Sequence, residues 1–199
     1  MDTKLPIYKA MITSEDTGMY CISLVDEPAV EKDWLYFKDE KKPMKFSVQD
    51  EDKRIIRGLV MECDKPIYRR NGDYEYYILF DEPTIRLMAQ KYLKDGFQEY
   101  VDTMHNDKLE EGVELVQWFI SDKEHGINPE GFEDVNDHSL FAEFKVTNDD
   151  IWDNVKSGTY KGFSLAGVFE PVPVEMKKTE TNVLNDIEDL LTKIINKLN

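Results

Sequence analysis

The chain has 199 residues, 41% of them hydrophobic and 33% charged, and a formal net charge of −16. That length suits one sizeable domain with an appendage, and no apolar run approaches the roughly 18 residues of a membrane span. The basic pairs Lys41-Lys42 and Arg69-Arg70 are short and stand among acids. The chain therefore offers no dense positive patch for a phosphate backbone, and nucleic acid is excluded as a partner.

The N-terminus, Met1-Asp-Thr-Lys4, lacks a basic region followed by an apolar core, so no secretory signal is expected. Two cysteines, Cys21 and Cys63, fit a reduced, cytosolic setting with both thiols structural. Residues 5–12 and 20–25 are apolar and β-prone and read as strands, the second ended by Asp26-Glu-Pro28. Residues 31–44 are charged, end in Pro43, and read as a surface loop or short extension. Lys45–Val48 and Arg54–Cys63 read as strands, Tyr68–Gly72 as a turn, and Tyr74–Phe80 as a returning strand.

Asp81 is an N-cap candidate, with Pro83 in the first turn of a helix. Ile85, Met88, Ala89, Tyr92 and Leu93 form its apolar stripe, and Gly96 is placed to stop it. Residues 113–120 and Leu140–Val146 read as apolar strands, joined by the long polar loop Lys123–His138. Asn148 can cap a helix over about 149–157, with Ile151, Trp152 and Val155 inward and Gly158 as its stop. A strand carrying Ser164 follows, and Pro171-Val-Pro173 reads as a break that closes the domain. Beyond it, Leu184, Ile187, Leu191, Ile194 and Leu198 are spaced 3, 4, 3, 4, the seam of an amphipathic helix. The organisation expected is a domain over 1–173, then a linker and helix over 174–199. Self-association is one use for that helix.

The chemistry-bearing stretch is Thr159-Tyr-Lys-Gly-Phe-Ser-Leu-Ala-Gly167. It sets Ser164 among small, flexible neighbours that let a substrate backbone approach a hydroxyl. Upstream, Met104-His105-Asn-Asp107 lies at a polar turn. A serine and a distant histidine are the minimum parts of a nucleophile and its base. Imidazole accepts and returns protons near neutral pH, as a general base must. His125 and His138 both fall in the long polar loop and suit that role less. The histidines and cysteines show no metal-binding spacing, and no Gly-rich phosphate loop occurs, so neither metal nor cofactor is expected. Glu62 and Asp64 flank Cys63 and oppose a thiolate there.

These pieces occur in a recognisable order: His105-Asn-Asp107, Val113–Asp122, Ile151–Gly158, then Lys161–Gly167. Ile22–Ala29, Lys45–Asp50, Asp64–Arg70 and Met88–Lys91 precede or join them. In that order the chain resembles the family called putative phage serine proteases, a branch of the prohead (capsid maturation) proteases of tailed phages. The resemblance covers roughly residues 20–170. It implies a herpesvirus-assemblin-like fold, which for this chain means α+β: a mostly antiparallel, barrel-like β core with covering helices and a C-terminal helical tail. It implies endoproteolysis of scaffold and major capsid proteins inside the assembling prohead in the host cytoplasm, with Ser164 as nucleophile and His105 as base. The family pattern puts an acid on the strand after the histidine, near Gln117, where this chain has glutamine. The third member is therefore assigned to Glu143, with Gln117 and Glu114 as the alternatives. The rival reading is an inactive, protease-fold scaffold or assembly protein of the phage head.

Overall fold

A computed structural model of the chain describes residues 5–26, 46–50 and 53–174. The surface loop expected at 31–44 and the helix expected beyond 174 lie outside the described residues. The structure is α+β and mostly β. Its strands are β1 Ile7–Met11, β2 Gly18–Val25, β3 Phe46–Asp50, β4 Ile55–Met61, β5 Ile67–Asn71, β6 Tyr74–Leu79, β7 Val101–Thr103, β8 Val113–Ile120, β9 Leu140–Val146, β10 Gly162–Val168 and β11 Glu170–Pro173. Its helices are α1 Glu82–Lys94 and α2 Asp149–Lys156.

The strands form three sheets, in the orders β11-β1-β6-β5, β10-β2-β7 and β3-β4-β9-β8. Most ladders are antiparallel, but β1–β6 and β2–β7 are parallel. Among the described residues the sheets stay open and no ladder closes them into a barrel. The barrel-like expectation is corrected to that extent. The sheets meet through side chains instead. Phe144 of β9 and Phe163 of β10 pack edge to face, ring centroids 5.2 Å apart, and both are fully buried. That contact fixes the strand bearing Ser164 against the β9 sheet.

Sequence explains which strands are central. β2 is buried everywhere except Tyr20, and β9 everywhere except the half-buried Lys145. Such near-continuous apolar runs belong in the middle of sheets covered on both faces. β8 alternates more loosely and exposes Val116, as an edge strand does.

α1 begins at Asp81, whose side chain accepts from the Thr84 amide, with Pro83 in its first turn. Ile85, Met88, Ala89 and Tyr92 are buried, whereas Leu93 is 44% exposed and leaves the expected stripe. Tyr92 stacks on Trp118 at 5.0 Å, and the Trp118 indole donates to the Ala89 carbonyl. α2 is capped by Asn148 and buries Ile151, Trp152 and Val155, as the sequence predicts. Gly158 then takes φ 74, a left-handed turn that directs the chain into β10.

Two further expectations are corrected. The Tyr68–Gly72 segment is mostly strand β5, paired with β6 from Ile67↔Ile78 to Asn71↔Tyr74. Its Tyr68, Arg69 and Arg70 have ladder partners and pack as a hairpin arm, leaving only 72–73 for the turn. Pro171-Val-Pro173 does not break the chain. It is strand β11, which pairs antiparallel with β1 from Tyr8↔Pro173 to Met11↔Glu170. Prolines are tolerated there because β11 is an edge strand and needs no amide on its outer side.

Candidate active site

β2 organises the site. On one side it pairs with β10, placing Ser164 opposite Ser23. On the other it pairs in parallel with β7, placing Asp102 beside Ser23. Partners across a ladder project to the same face. Ser164, Ser23 and Asp102 therefore stand in one row across three strands. Ser164 is half-buried, Ser23 is 0% exposed and Asp102 is 3% exposed.

His105 reaches this row from the turn after β7. Its Nε2 lies 2.9 Å from Ser164 Oγ, and its Nδ1 lies 2.8 Å from Ser23 Oγ. Both ring nitrogens are thus engaged by serine hydroxyls. The tautomer in which Nε2 accepts from Ser164 carries its hydrogen on Nδ1, which then donates to Ser23. His105 is exposed to solvent, so a substrate can reach the pair.

The turn is locally strained. Met104, His105 and Asp107 have φ of 55°, 51° and 58°, in the left-handed region that side chains disfavour. Several bonds hold it. The Met104 amide donates to the Leu24 carbonyl at 2.9 Å, and the Asp107 amide to Asp102 Oδ2 at 3.0 Å. Asn106 donates to Thr103 Oγ1 and accepts from the Lys108 amide. His105 is fixed by its backbone as well as its ring.

The small residues around Ser164 also have a packing reason. A Cβ at Gly167 would sit 2.7 Å from the Gly18 carbonyl oxygen and 2.6 Å from the Phe169 ring. The register of β10 on β2 shifts between Ala166 and Gly167, a bulge just past the serine.

Cys21, two residues before Ser23, lies on the same face of β2. Burial pushes its thiol up to about 12, helped by the negative charges of Asp102 and Asp107. Burial and Asp64 likewise push Cys63 up to about 12. Both cysteines are free, buried and neutral near pH 7, hence poor nucleophiles. Among the described residues no group of three or more His, Cys, Asp and Glu is placed to hold a metal.

The structure does not bring Glu143 to His105. Glu143 is buried on β9 and forms an ion pair with Arg57, its partner across the β4–β9 ladder. A buried carboxylate needs such a countercharge, and this one spends its charge on Arg57. Gln117 and Glu114 are exposed on β8, opposite Glu143 and Lys145. The ring's second partner is Ser23 instead. Ile22-Ser-Leu-Val25 reads as plain strand, and only the pairing of β2 with β10 reveals its serine's position. The other histidines stand elsewhere: His125 bonds the Asp122 carboxylate at 2.9 Å, and His138 lies 3.7 Å from Glu82.

A strand-borne serine hydrogen-bonded to a histidine whose far nitrogen is held by a second hydroxyl has the geometry that a serine nucleophile and its base require. The family described as putative phage serine protease XkdF matches residues 44–172, and the chain belongs to that family. The chain is also similar to a Bacillus subtilis (strain 168) protein named "Uncharacterized protein YqbD", at 24% identity over 171 residues. That alignment takes in 80% of this chain but 48% of the relative, so the chain spans about half the length of the curated protein it matches. No solved structure matches it. Among the described residues no helix is long and apolar enough to cross a membrane.

Proposed function

We propose that the chain is a serine endopeptidase that cleaves phage scaffold and capsid proteins during prohead maturation. The observation that carries this reading is the 2.9 Å contact between Ser164 Oγ and His105 Nε2, with the opposite ring nitrogen held by a buried hydroxyl. Ser164 Oγ attacks the scissile carbonyl while His105 Nε2 takes its proton. The same proton passes to the leaving amine, which departs as the acyl-enzyme forms. Water, deprotonated by His105 in turn, releases the acyl group and restores the serine. Membership of a phage serine protease family supports the reaction class. The head-protein substrates, and a site of action inside the prohead in the host cytoplasm, extend the family resemblance.

The rival, an inactive scaffold with a protease fold, would not need the two serines aligned on one histidine. Co-expression with the scaffold and major capsid proteins of a tailed phage tests the choice. The wild-type chain should shorten one or both, and Ser164→Ala should not. Intact head proteins beside a folded wild-type chain, or equal cleavage by Ser164→Ala, would reject the endopeptidase reading.

A further inference from the structure

The serine row ends on a carboxylate for which Glu143 leaves an opening. Asp102 is 3% exposed, and its two oxygens are treated differently. Oδ2 accepts the Asp107 amide and so holds the turn that carries His105. Oδ1 is buried without a hydrogen-bond partner. An unfilled, buried acceptor on a charged group is costly unless something uses it.

Ser23 has the complementary need. When His105 Nδ1–H donates to Ser23 Oγ, the hydroxyl's own hydrogen is left over in a fully buried place. The residue beside it in the β2–β7 ladder is Asp102. In the structure Oδ1 does not bond the Ser23 hydroxyl, but the two residues are ladder partners, and a small shift of the Asp102 side chain that brought them into contact would satisfy both groups at once.

We propose that Asp102 is a positioning residue of the Ser164–His105 pair, acting on the ring through the Ser23 hydroxyl. It plays the part of the triad acid with one serine interposed. This inference rests on the reading of Ser164 and His105 given above. Protons balance without reaching the carboxylate. The Ser164 proton moves to Nε2, Nδ1 keeps its hydrogen, Ser23 keeps its own, and Asp102 stays ionised. Its negative charge, relayed by the polarised hydroxyl, favours the imidazolium and the tautomer with Nε2 facing Ser164.

Among the described residues the other titratable groups close to the ring in the sequence or the ladders are few. Asp107 lies on the same turn, Cys21 on β2 is neutral, and Glu110 is bonded to Thr103 Oγ1. β10, Gly162–Val168, carries no charged side chain.

The test is an NMR titration of the His105 ring, with fluorophosphonate labelling of Ser164 measured alongside. Asp102→Asn removes the charge but keeps an oxygen for the Asp107 amide. The ring's titration midpoint should fall, and labelling should slow by about tenfold or more. In a Ser23→Ala background the same change should move the midpoint far less, because the relay is gone. Asp102→Ser, which also keeps an acceptor without charge, should repeat the result if the asparagine variant folds poorly. An unmoved or raised midpoint in folded Asp102→Asn overturns the proposal, as does an equal fall with and without Ser23. A wild-type chain that never labels, yet shows the Ser23-dependent midpoint fall, would reject the protease reading while sustaining the role of Asp102.

Discussion

Replacing Glu143 by alanine separates a structural acid from a catalytic one. The Glu143 side chain is 5% exposed and its partner Arg57 is 22% exposed. Removing one member of a fully buried pair costs about 3–5 kcal/mol, because the other charge is stranded. Arg57 keeps a share of its hydration, so the cost here should be nearer about 2–3 kcal/mol. For a chain of this size each kcal/mol lowers Tm by about 2–4 °C, which gives a fall of about 4–12 °C. Circular dichroism on heating reads that fall. Labelling of Ser164 by a fluorophosphonate, well below the variant's Tm, should run near the wild-type rate. Replacing Glu143 and Arg57 together by methionine should recover most of the stability, since a buried pair exchanged for apolar side chains is often neutral. Labelling that collapses in a variant with unchanged Tm would refute the reasoning and return Glu143 to the site.

Three other outcomes are expected. His105→Ala should cut peptide cleavage by about 10⁴-fold, while His125→Ala and His138→Ala leave it intact, and an active His105→Ala enzyme would refute the assignment. Cys21 and Cys63, both pushed up to about 12, should resist iodoacetamide at about pH 8 until the chain is denatured, and rapid alkylation of the folded chain would contradict their burial. Burial pushes the Asp81 carboxyl up, but its bonds from Lys9 and Thr84 outweigh that and hold it below the usual range. Asp81→Ala should therefore cost about 1 kcal/mol at neutral pH, a deficit that disappears as pH falls below about 4 and through the lowered folded value. A deficit that persists into strong acid would show that the cap's charge is not its source.

Much of the fold is legible because local signals and tertiary demands agree. The caps at Asp81 and Asn148 and the stripe through Ile85, Met88, Ala89 and Tyr92 are read correctly from spacing alone. Leu93 fails because the face of α1 against β2 and Trp118 is already filled by Tyr92. The prolines of 171–173 mislead because proline is a breaker inside sheets and tolerable at their edges. An edge is a property of the whole sheet, not of the segment. The site divides in the same way. Ser164 and His105 stand out through their neighbours and through an ordered set of motifs. Ser23 and Asp102 come into line through the pairing of β2 with β10 and β7, a register with no local signature. Glu143 attracts notice as an acid on an apolar strand, but its countercharge, Arg57, lies 86 positions earlier in the chain.

The central claim is that Ser164 is a nucleophile activated by His105. Peptide-mapped mass spectrometry of the folded chain after fluorophosphonate treatment tests it most directly. A single adduct on Ser164, formed by the wild-type chain and lost in folded His105→Ala, is the predicted result. A folded wild-type chain with no adduct on Ser164, or an adduct that forms equally fast without His105, would contradict it.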